Sequence, residues 1–393
     1  MLKTNLLFWA ACMGMLFFGI GLITLGAVVP YLKAKYDLDE VSSGALFSIL
    51  PIGILIGSLL FGPFCDRYGY KILLALSCFC IFAGFEGIAY SPSLFILKFS
   101  VVVFGLGCGV INGATNALVS DISGNNKGAN LSLLGVFFGL GALGMPLILG
   151  IVEGKFSYEV IVSIVGFAAL LVGIFYLLIK FPAAKISSNL PLTHSFSLLR
   201  DRLLILIAFF LFCQSSFEAI INNWTTTYLT GQLLIQPNKA LYALSLFVVG
   251  MTVMRVLLGS LLRNTPVGKI WIGSFTMILL GLIFLGTGKS FTSSVDGLIL
   301  LGGGLAAGFP IMLGFVGNCY KELSGTAFSL VFVVALLGNI IVNYCMGVIA
   351  QTYGVKHLIT VAVIELVVMI VLCAFILKRL NKQITFKNQN YVS

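Results

Sequence analysis

Long apolar runs alternate with short polar segments along the chain. Most of these runs reach the roughly 20 residues that a helix needs to cross a bilayer. Backbone groups in lipid must be hydrogen-bonded within their own segment, so each run predicts a helix, and none shows the alternation of a membrane barrel. The pattern predicts an all-α membrane protein with twelve transmembrane helices, near residues 6–32, 41–64, 72–90, 94–119, 129–150, 159–180, 203–227, 240–262, 270–288, 297–319, 326–350 and 358–377.

The composition argues against a soluble enzyme. Hydrophobic residues make up 59% of the chain and charged residues 9%, whereas a soluble domain carries about 25% charged residues. The nine cysteines lie mostly within apolar runs and form no Cys-x-x-Cys pair, and the two histidines, His194 and His357, are far apart in the chain. No nucleotide-binding Gly-rich loop is present. The sequence therefore predicts a protein that is not an enzyme and that holds neither a metal ion nor a cofactor.

Basic residues concentrate in the segments that face the cytoplasm when the N-terminus is placed inside. This asymmetry predicts a multi-pass protein of a bacterial inner (plasma) membrane with both termini cytoplasmic. The net charge of +10 follows from this topology, so no nucleic-acid partner is expected. The expected partners are the lipid bilayer, a small-molecule solute and protons, and the chain is expected to act as a monomer.

A polar segment divides the spans into two groups of six. Residues 181–202 contain Pro182 and Pro191 and end in Arg200-Asp201-Arg202. The predicted organisation is an N-terminal six-helix bundle, a cytoplasmic linker, a C-terminal six-helix bundle and a cytoplasmic tail, at residues 1–180, 181–202, 203–377 and 378–393. A short internal echo supports duplication, because Gly57-Ser-Leu-Leu in the first half is repeated as Gly259-Ser-Leu-Leu in the second.

A charged motif lies between the second and third spans, where residues 62–71 read Gly-Pro-Phe-Cys-Asp-Arg-Tyr-Gly-Tyr-Lys. It resembles the signature loop of the major facilitator superfamily. Its glycines permit close helix packing and a sharp turn, and its acid can pair with a cation or a helix N-terminus. The resemblance implies a conformational latch made of Gly62, Asp66, Arg67, Gly69 and Lys71. The alternative interpretation is an ordinary charged turn.

Other segments are similar to the branch of this superfamily that contains fucose–proton symporters and related sugar carriers. They are Asp37 to Gly44, Asn130 to Pro146, Glu218-x5-Trp224-x3-Tyr228, and Gly302 to Pro310. The resemblance implies alternating access to a central site for small polar solutes, often sugars. One departure is Asn112, which stands in the fourth span where the family commonly has an acid. An amide cannot titrate, so the protein either lacks ion coupling or couples through another residue.

The seventh span carries a polar stripe on an otherwise apolar helix. Gln214, Glu218 and Asn222 follow one another at intervals of four residues and so share one helix face. Such a stripe must face a water-filled cavity or another polar surface. Glu218 is the predicted coupling residue, because an apolar environment favours the protonated form of a carboxyl group. The alternative is a permanently paired structural acid. Trp224 is a candidate for stacking on a sugar ring or for an outer gate, and otherwise for an interface anchor.

Two amide pairs and one arginine complete the candidate residues. Asn112 and Asn116, and likewise Asn339 and Asn343, are spaced by four residues, and their amides can both donate to and accept from solute hydroxyls. The alternative is hydrogen bonding between helices. Arg255 lies inside the eighth span, where it predicts either a conformational ion pair that belongs to the latch or a side chain that reaches towards the surface.

These features together predict a secondary active transporter that moves a small polar solute, with a monosaccharide as first choice, by proton-coupled import. The alternatives are a facilitative uniporter and an efflux carrier of drugs or organic anions. A transport-dead membrane sensor on the same scaffold is a more distant alternative.

Overall fold

The computed structural model describes residues 2–37, 40–152, 155–184, 197–288 and 290–389. The described residues are helical almost throughout, and two short 3-10 helices, Ser197–Arg200 and Val355–His357, accompany the α-helices. The α-helices are α1 Leu2–Tyr36, α2 Glu40–Tyr68, α3 Tyr70–Tyr90, α4 Leu94–Ile122, α5 Lys127–Val152, α6 Tyr158–Leu178, α7 Arg202–Gln232, α8 Pro237–Asn264, α9 Val267–Thr287, α10 Phe291–Leu305, α11 Gly308–Cys319, α12 Ser324–Tyr353 and α13 Leu358–Gln389.

Within the described part of the chain, twelve helical segments are long and apolar enough to cross a membrane, which confirms the predicted architecture of twelve transmembrane helices. The tenth segment, Phe291–Cys319, is interrupted at Ala306 and Ala307, so that α10 and α11 share one span. The last helix continues past the predicted end of its span at residue 377.

The turn between the second and third spans is shorter than the sequence predicts. Residues 62–68 belong to α2, and Gly69 alone separates α2 from α3. Gly69 adopts a φ of 79°, which a residue with a side chain rarely adopts, and its N–H donates to the carbonyl of Cys65 (2.8 Å). One glycine therefore makes the whole turn, and Asp66 and Arg67 lie in the last turn of a helix instead of a loop.

The chain divides into two compact units. Unit 1 consists of Met1–Ser195 and Gly317–Leu330, and unit 2 consists of Phe196–Val316 and Val331–Ser393. The segment around the start of α12 therefore clusters with the first six helices. Residues 185–196, which make up much of the predicted linker and include His194, lie outside the described residues, as do residues 390–393 of the predicted tail. The predicted boundaries at 180, 203 and 377 stay predictions.

Helix α4 is the centre of unit 1, where it packs against α1, α2, α3 and α5. Its contact with α2 is close because glycines meet across it. A Cβ added to Gly53 would lie 2.6 Å from the carbonyl oxygen of Val102 and 3.0 Å from the Cα of Gly105. Backbones can approach this closely only where side chains are absent, which is a common packing mode of membrane helices.

In unit 2, α7 packs against α13 and α8 packs against α10. Helix α9 lies against both α10 and α13. Glycine again permits the closest approach, since a Cβ at Gly302 of α10 would lie 2.1 Å from the carbonyl oxygen of Phe247 in α8. These contacts hold the polar residues of α7 and α8 among packed helices.

Candidate functional site

The carboxylate of Asp66 binds the N-terminal end of α12 within unit 1. Asp66 is only 1% exposed. Its Oδ1 accepts a hydrogen bond from the backbone N–H of Gly325 (3.0 Å), and its Oδ2 accepts from both the N–H and the hydroxyl of Thr326 (2.8 Å each). The first N–H groups of a helix have no partner inside the helix and carry partial positive charge. A buried acid at this position is therefore stabilised by the helix end.

Gly62, one turn before Asp66, brings α2 against the same segment. A Cβ at Gly62 would lie 2.5 Å from the Cβ of Ser329 and 2.7 Å from the carbonyl oxygen of Gly325. The Ser329 hydroxyl lies within hydrogen-bond reach of the carbonyl oxygens of Ser58 and Leu59 in α2. The glycine thus permits the contact through which Asp66 reaches its partners.

The basic residues of the motif have a different setting. Arg67 and Lys71 are exposed, and the Arg67 guanidinium lies over the ring of Tyr68, 5.6 Å from its centroid. Of the predicted latch residues, the structure brings Gly62 and Asp66 to one contact, with Gly69 forming the turn just beyond. Arg67 and Lys71 lie at the surface beside it.

Asp121 is a second acid at this contact, and sequence reasoning missed it. It lies in the last turn of α4, where its carboxylate accepts hydrogen bonds from the hydroxyls of Tyr70 and Ser324 (3.1 Å for Ser324). Ser324 is the first residue of α12. An acid at the end of an apolar run and a serine before Gly325 are visible in the sequence. Their pairing across 203 residues is a product of the fold.

Glu218 lies in a polar cluster of unit 2. The side-chain amide of Gln214 donates to the Glu218 carboxylate (2.7 Å) and also lies 2.9 Å from the carbonyl oxygen of Leu305. Leu305 ends α10, so its carbonyl lies at the interruption of the tenth span. Gln214 therefore connects the candidate coupling acid to a helix break. Interrupted helices in membranes need such partners for their freed backbone groups.

The interruption is shaped around the Gln214 side chain. Gly308 begins α11, and a Cβ there would lie 2.3 Å from the Oε1 atom of Gln214. Gln214 is only 1% exposed. The glycine leaves space for a buried amide at the point where the backbone of the tenth span changes course.

Arg255 of α8 completes this cluster. It is 7% exposed, and its guanidinium interacts electrostatically with the Glu218 carboxylate. The side chain therefore has an acidic neighbour inside the helix bundle. The sequence left this neighbour unnamed. It grouped Arg255, which belongs to unit 2, with motif residues that belong to unit 1, and this grouping stays a prediction.

Asn222 and Trp224 of α7 do not contact the same groups as Gln214 and Glu218. The Asn222 amide donates to the backbone carbonyl of Glu218 (2.8 Å) and the side chain is exposed. The indole N–H of Trp224 donates to the side-chain oxygen of Asn343 in α12 (2.8 Å), and Asn339, one turn earlier in α12, is half-buried. Gln214 and Glu218 therefore form one cluster, and Trp224 with Asn343 forms another.

The amide pair of α4 is linked within its own helix. The Nδ2 group of Asn116 lies 2.9 Å from the backbone carbonyl oxygen of Asn112 and 3.1 Å from its side-chain oxygen. Asn116 is buried and Asn112 is half-buried in unit 1. The Asn112 side chain therefore makes this contact through its oxygen, and its amide nitrogen is not part of it.

The comparison with protein families decides the identity of this fold. A model of the Major Facilitator Superfamily matches residues 11–342. The chain belongs to the major facilitator superfamily. It is therefore a multi-pass membrane transporter of a family whose members are not enzymes.

Individual relatives are distant and differ in the solute that they carry. The chain is 25% identical to the D-xylose transporter of Levilactobacillus brevis over a stretch of 132 residues. This stretch covers 34% of this chain and 29% of that protein. It is 36% identical to the 4-hydroxybenzoate transporter of Acinetobacter baylyi over a stretch of 104 residues. This stretch covers 26% of this chain and 22% of that transporter. The matched stretches thus span less than a third of either relative.

Among solved structures, the fold is similar to that of the fucose:proton symporter of Escherichia coli. The TM-score is 0.79 at 18% identity, and the match covers 95% of this chain and 99% of the symporter. At this identity the likeness concerns the fold.

Proposed function

We propose that this protein is a secondary active transporter that imports a small polar solute together with protons by alternating access, and that the solute is a monosaccharide. The proposal is supported by the family, by the symporter-like fold and by a D-xylose transporter among the relatives. The protein works in a bacterial inner membrane with both termini in the cytoplasm, in keeping with the distribution of its basic residues.

The observation that carries the proposal is the cluster of Glu218, Gln214 and Arg255. An ionised Glu218 is stabilised by the Arg255 guanidinium and by the Gln214 amide. A protonated Glu218 keeps the hydrogen bond to Gln214 and loses most of the attraction to Arg255. Proton binding therefore changes the interaction of α7 with α8. A coupled transporter needs such a group, whose charge state alters helix contacts.

Binding of the solute is assigned to the amide and aromatic residues. The amide groups of Asn112, Asn116, Asn222, Asn339 and Asn343 can exchange hydrogen bonds with hydroxyl groups. The Trp224 ring offers an apolar face to the corresponding face of a sugar ring. Asn222, which is exposed and spaced one turn from Glu218, is the most direct link between solute and coupling group.

Asp66 is assigned to control of the conformational state. Its three hydrogen bonds to the start of α12 stabilise the described arrangement of unit 1. A transport cycle in which α12 moves away must break these bonds and must expose or re-pair the carboxylate. The contact therefore acts as a latch whose free energy sets the balance between states.

The decisive experiment is solute uptake into proteoliposomes with and without an imposed pH gradient. Glu218→Gln mimics the protonated form, so it should abolish uphill accumulation while solute exchange down a gradient is retained. Glu86→Gln is the matched control, because the Glu86 carboxyl lies in unit 1 and accepts from Ser163 of α6 (2.7 Å). If wild-type uptake ignores the pH gradient, the protein is a facilitative uniporter or uses another ion.

A second candidate is transport of an organic anion. The buried guanidinium of Arg255 and the 4-hydroxybenzoate transporter among the relatives favour it. A thermal-shift screen of the purified protein against monosaccharides and aromatic carboxylates separates the two, because a ligand of the folded state raises the melting temperature by mass action. Stabilisation by the carboxylates alone would replace the sugar proposal.

A further inference from the structure

Glu365 of α13 is an acid buried between helices of unit 2, apart from the Glu218 cluster. It is 7% exposed, and its Oε1 atom lies within hydrogen-bond reach of the Ser216 hydroxyl of α7. Its Oε2 atom is buried and has no hydrogen-bond partner among the described residues. An ionised carboxylate needs several donors or a cation in a low-dielectric environment. The described surroundings supply one hydroxyl.

The hydrogen count at Ser216 defines the protonation state further. The Ser216 oxygen lies 3.0 Å from the backbone carbonyl oxygens of both Phe212 and Cys213, and it also contacts Glu365 Oε1. A serine hydroxyl has a single hydrogen to donate. A hydroxyl that donates to its own helix backbone, as buried serines commonly do, is an acceptor towards Glu365. The hydrogen between Ser216 and Glu365 then belongs to the carboxyl group.

Other titratable groups lie on the elements that pack against α13. Helices α7 and α9 and the 3-10 helix Val355–His357 pack against α13. Cys213 of α7 faces Glu365, and Lys269 is exposed in the first turn of α9. Lys356 is exposed, and the His357 ring lies edge-on to Tyr353. The Tyr228 hydroxyl donates to the carbonyl of Leu285 in α9 (3.3 Å).

Glu218 lies two positions after Ser216, which turns it about 200° around α7. Glu218 and Ser216, the residue that Glu365 contacts, therefore lie on different faces of α7. Glu218 has Arg255 and Gln214 as neighbours, whereas Glu365 has Ser216 and Cys213.

We propose that Glu365 is a second proton-binding site of this protein, occupied by a proton in the described conformation and bonded through that proton to Ser216 of α7. Loss of the proton to solvent leaves a carboxylate, and the Ser216 hydrogen then turns from the α7 backbone to Glu365. Proton occupancy thus changes how α7 is held against α13. The inference depends neither on the solute nor on coupling at Glu218.

Infrared difference spectroscopy of the membrane-reconstituted protein tests this site without any solute. At neutral pH, the C=O stretch of a protonated carboxyl group should be present in wild type and should be lost in Glu365→Gln, with a small shift on exchange into deuterated water. Glu86→Gln, which removes another glutamate that contacts a serine, is the matched control and should leave this band in place. A spectrum in which Glu365→Gln removes only ionised carboxylate absorption would overturn the proposal.

A second pair of variants keeps the proposal testable if Glu365→Gln does not fold. Ser216→Ala removes the acceptor of the carboxyl hydrogen, so the C=O band should move to higher frequency. Ser215→Ala, a half-buried neighbour on α7, should leave the band unmoved. An identical band in wild type and Ser216→Ala contradicts the assignment to Glu365.

Discussion

Asp66 of unit 1 is buried and Glu218 of unit 2 is half-buried, and the partners of the two acids differ in kind. Asp66 accepts hydrogen bonds from two backbone N–H groups, which cannot leave without moving the helix. Glu218 contacts the long side chains of Gln214 and Arg255, which can change rotamer while the helices stay in place. The hydrogen bonds of Asp66 therefore depend on the position of α12, whereas the contacts of Glu218 can change during proton exchange while the helices stay in place.

The largest expected effect concerns Arg255. Arg255→Gln removes the cation that distinguishes the two charge states of Glu218, so pH-driven accumulation should be lost completely in proteoliposome uptake, as in Glu218→Gln. Residues that act as one unit are not additive. The double variant Glu218→Gln/Arg255→Gln should therefore retain as much solute exchange down a gradient as Glu218→Gln alone. Full pH-driven accumulation by Arg255→Gln would show that Arg255 acts elsewhere.

Asp66→Asn should shift the balance between conformational states. An amide offers one acceptor oxygen and directs its NH2 group at a donor, so at least one hydrogen bond of the latch is lost. Hydrogen bonds to charged groups contribute about 1.5–3 kcal/mol, which corresponds to a roughly ten- to hundred-fold change in the population ratio. Distances between spectroscopic labels on the outer helix ends measure these populations.

Asp201→Asn is the control for this variant. Asp201 caps its own helix, α7, by accepting from the N–H groups of Leu203 and Leu204 (2.8 and 3.0 Å), and asparagine caps a helix about as well as aspartate. Unchanged state populations in Asp66→Asn would remove the latch function from Asp66.

Gly62→Ala tests the same contact through shape instead of charge. The added methyl group would overlap Ser329 and the Gly325 carbonyl, and such overpacking costs roughly 1–3 kcal/mol. Gly144→Ala in α5 is matched to it, because no atom lies within 4 Å of a Cβ at Gly144. Thermal unfolding and label distances should change in the first variant only. Equal behaviour of the two variants would show that the α2–α12 contact accommodates an added methyl group at position 62.

Single amides of the proposed solute site should affect solute binding alone. Asn222→Ala and Asn112→Ala should each weaken solute binding by roughly 1–3 kcal/mol, or about five- to over a hundred-fold, because solute groups stay desolvated without a partner. Asn223→Ala, at the exposed neighbouring position, is the control. Isothermal titration calorimetry with the solute from the thermal-shift screen measures the affinities, and unchanged values with folded protein would assign both amides to helix packing.

The two acids also differ in how much of their setting the sequence predicted. The four-residue spacing on the seventh span placed Gln214 and Glu218 on one face, and the structure joins them directly. The motif predicted a role for Asp66 together with Arg67 and Lys71. The structure pairs Asp66 with a helix N-terminus, one of the two partners that the sequence allowed, through residues 259 and 260 positions away. The two basic residues lie at the surface.

The sequence by itself determined the twelve spans and the transporter family. A membrane helix must form its backbone hydrogen bonds within its own segment, so each span is visible as one run of consecutive apolar residues. The tertiary structure alone decided that α2 continues to Tyr68, that Arg255 faces Glu218, that Asp121 holds Ser324 and that Glu365 contacts Ser216. Side-chain partners depend on which helices pack together and at what rotation. Since lipid-facing and protein-facing surfaces are both apolar, hydrophobic pattern does not encode that rotation.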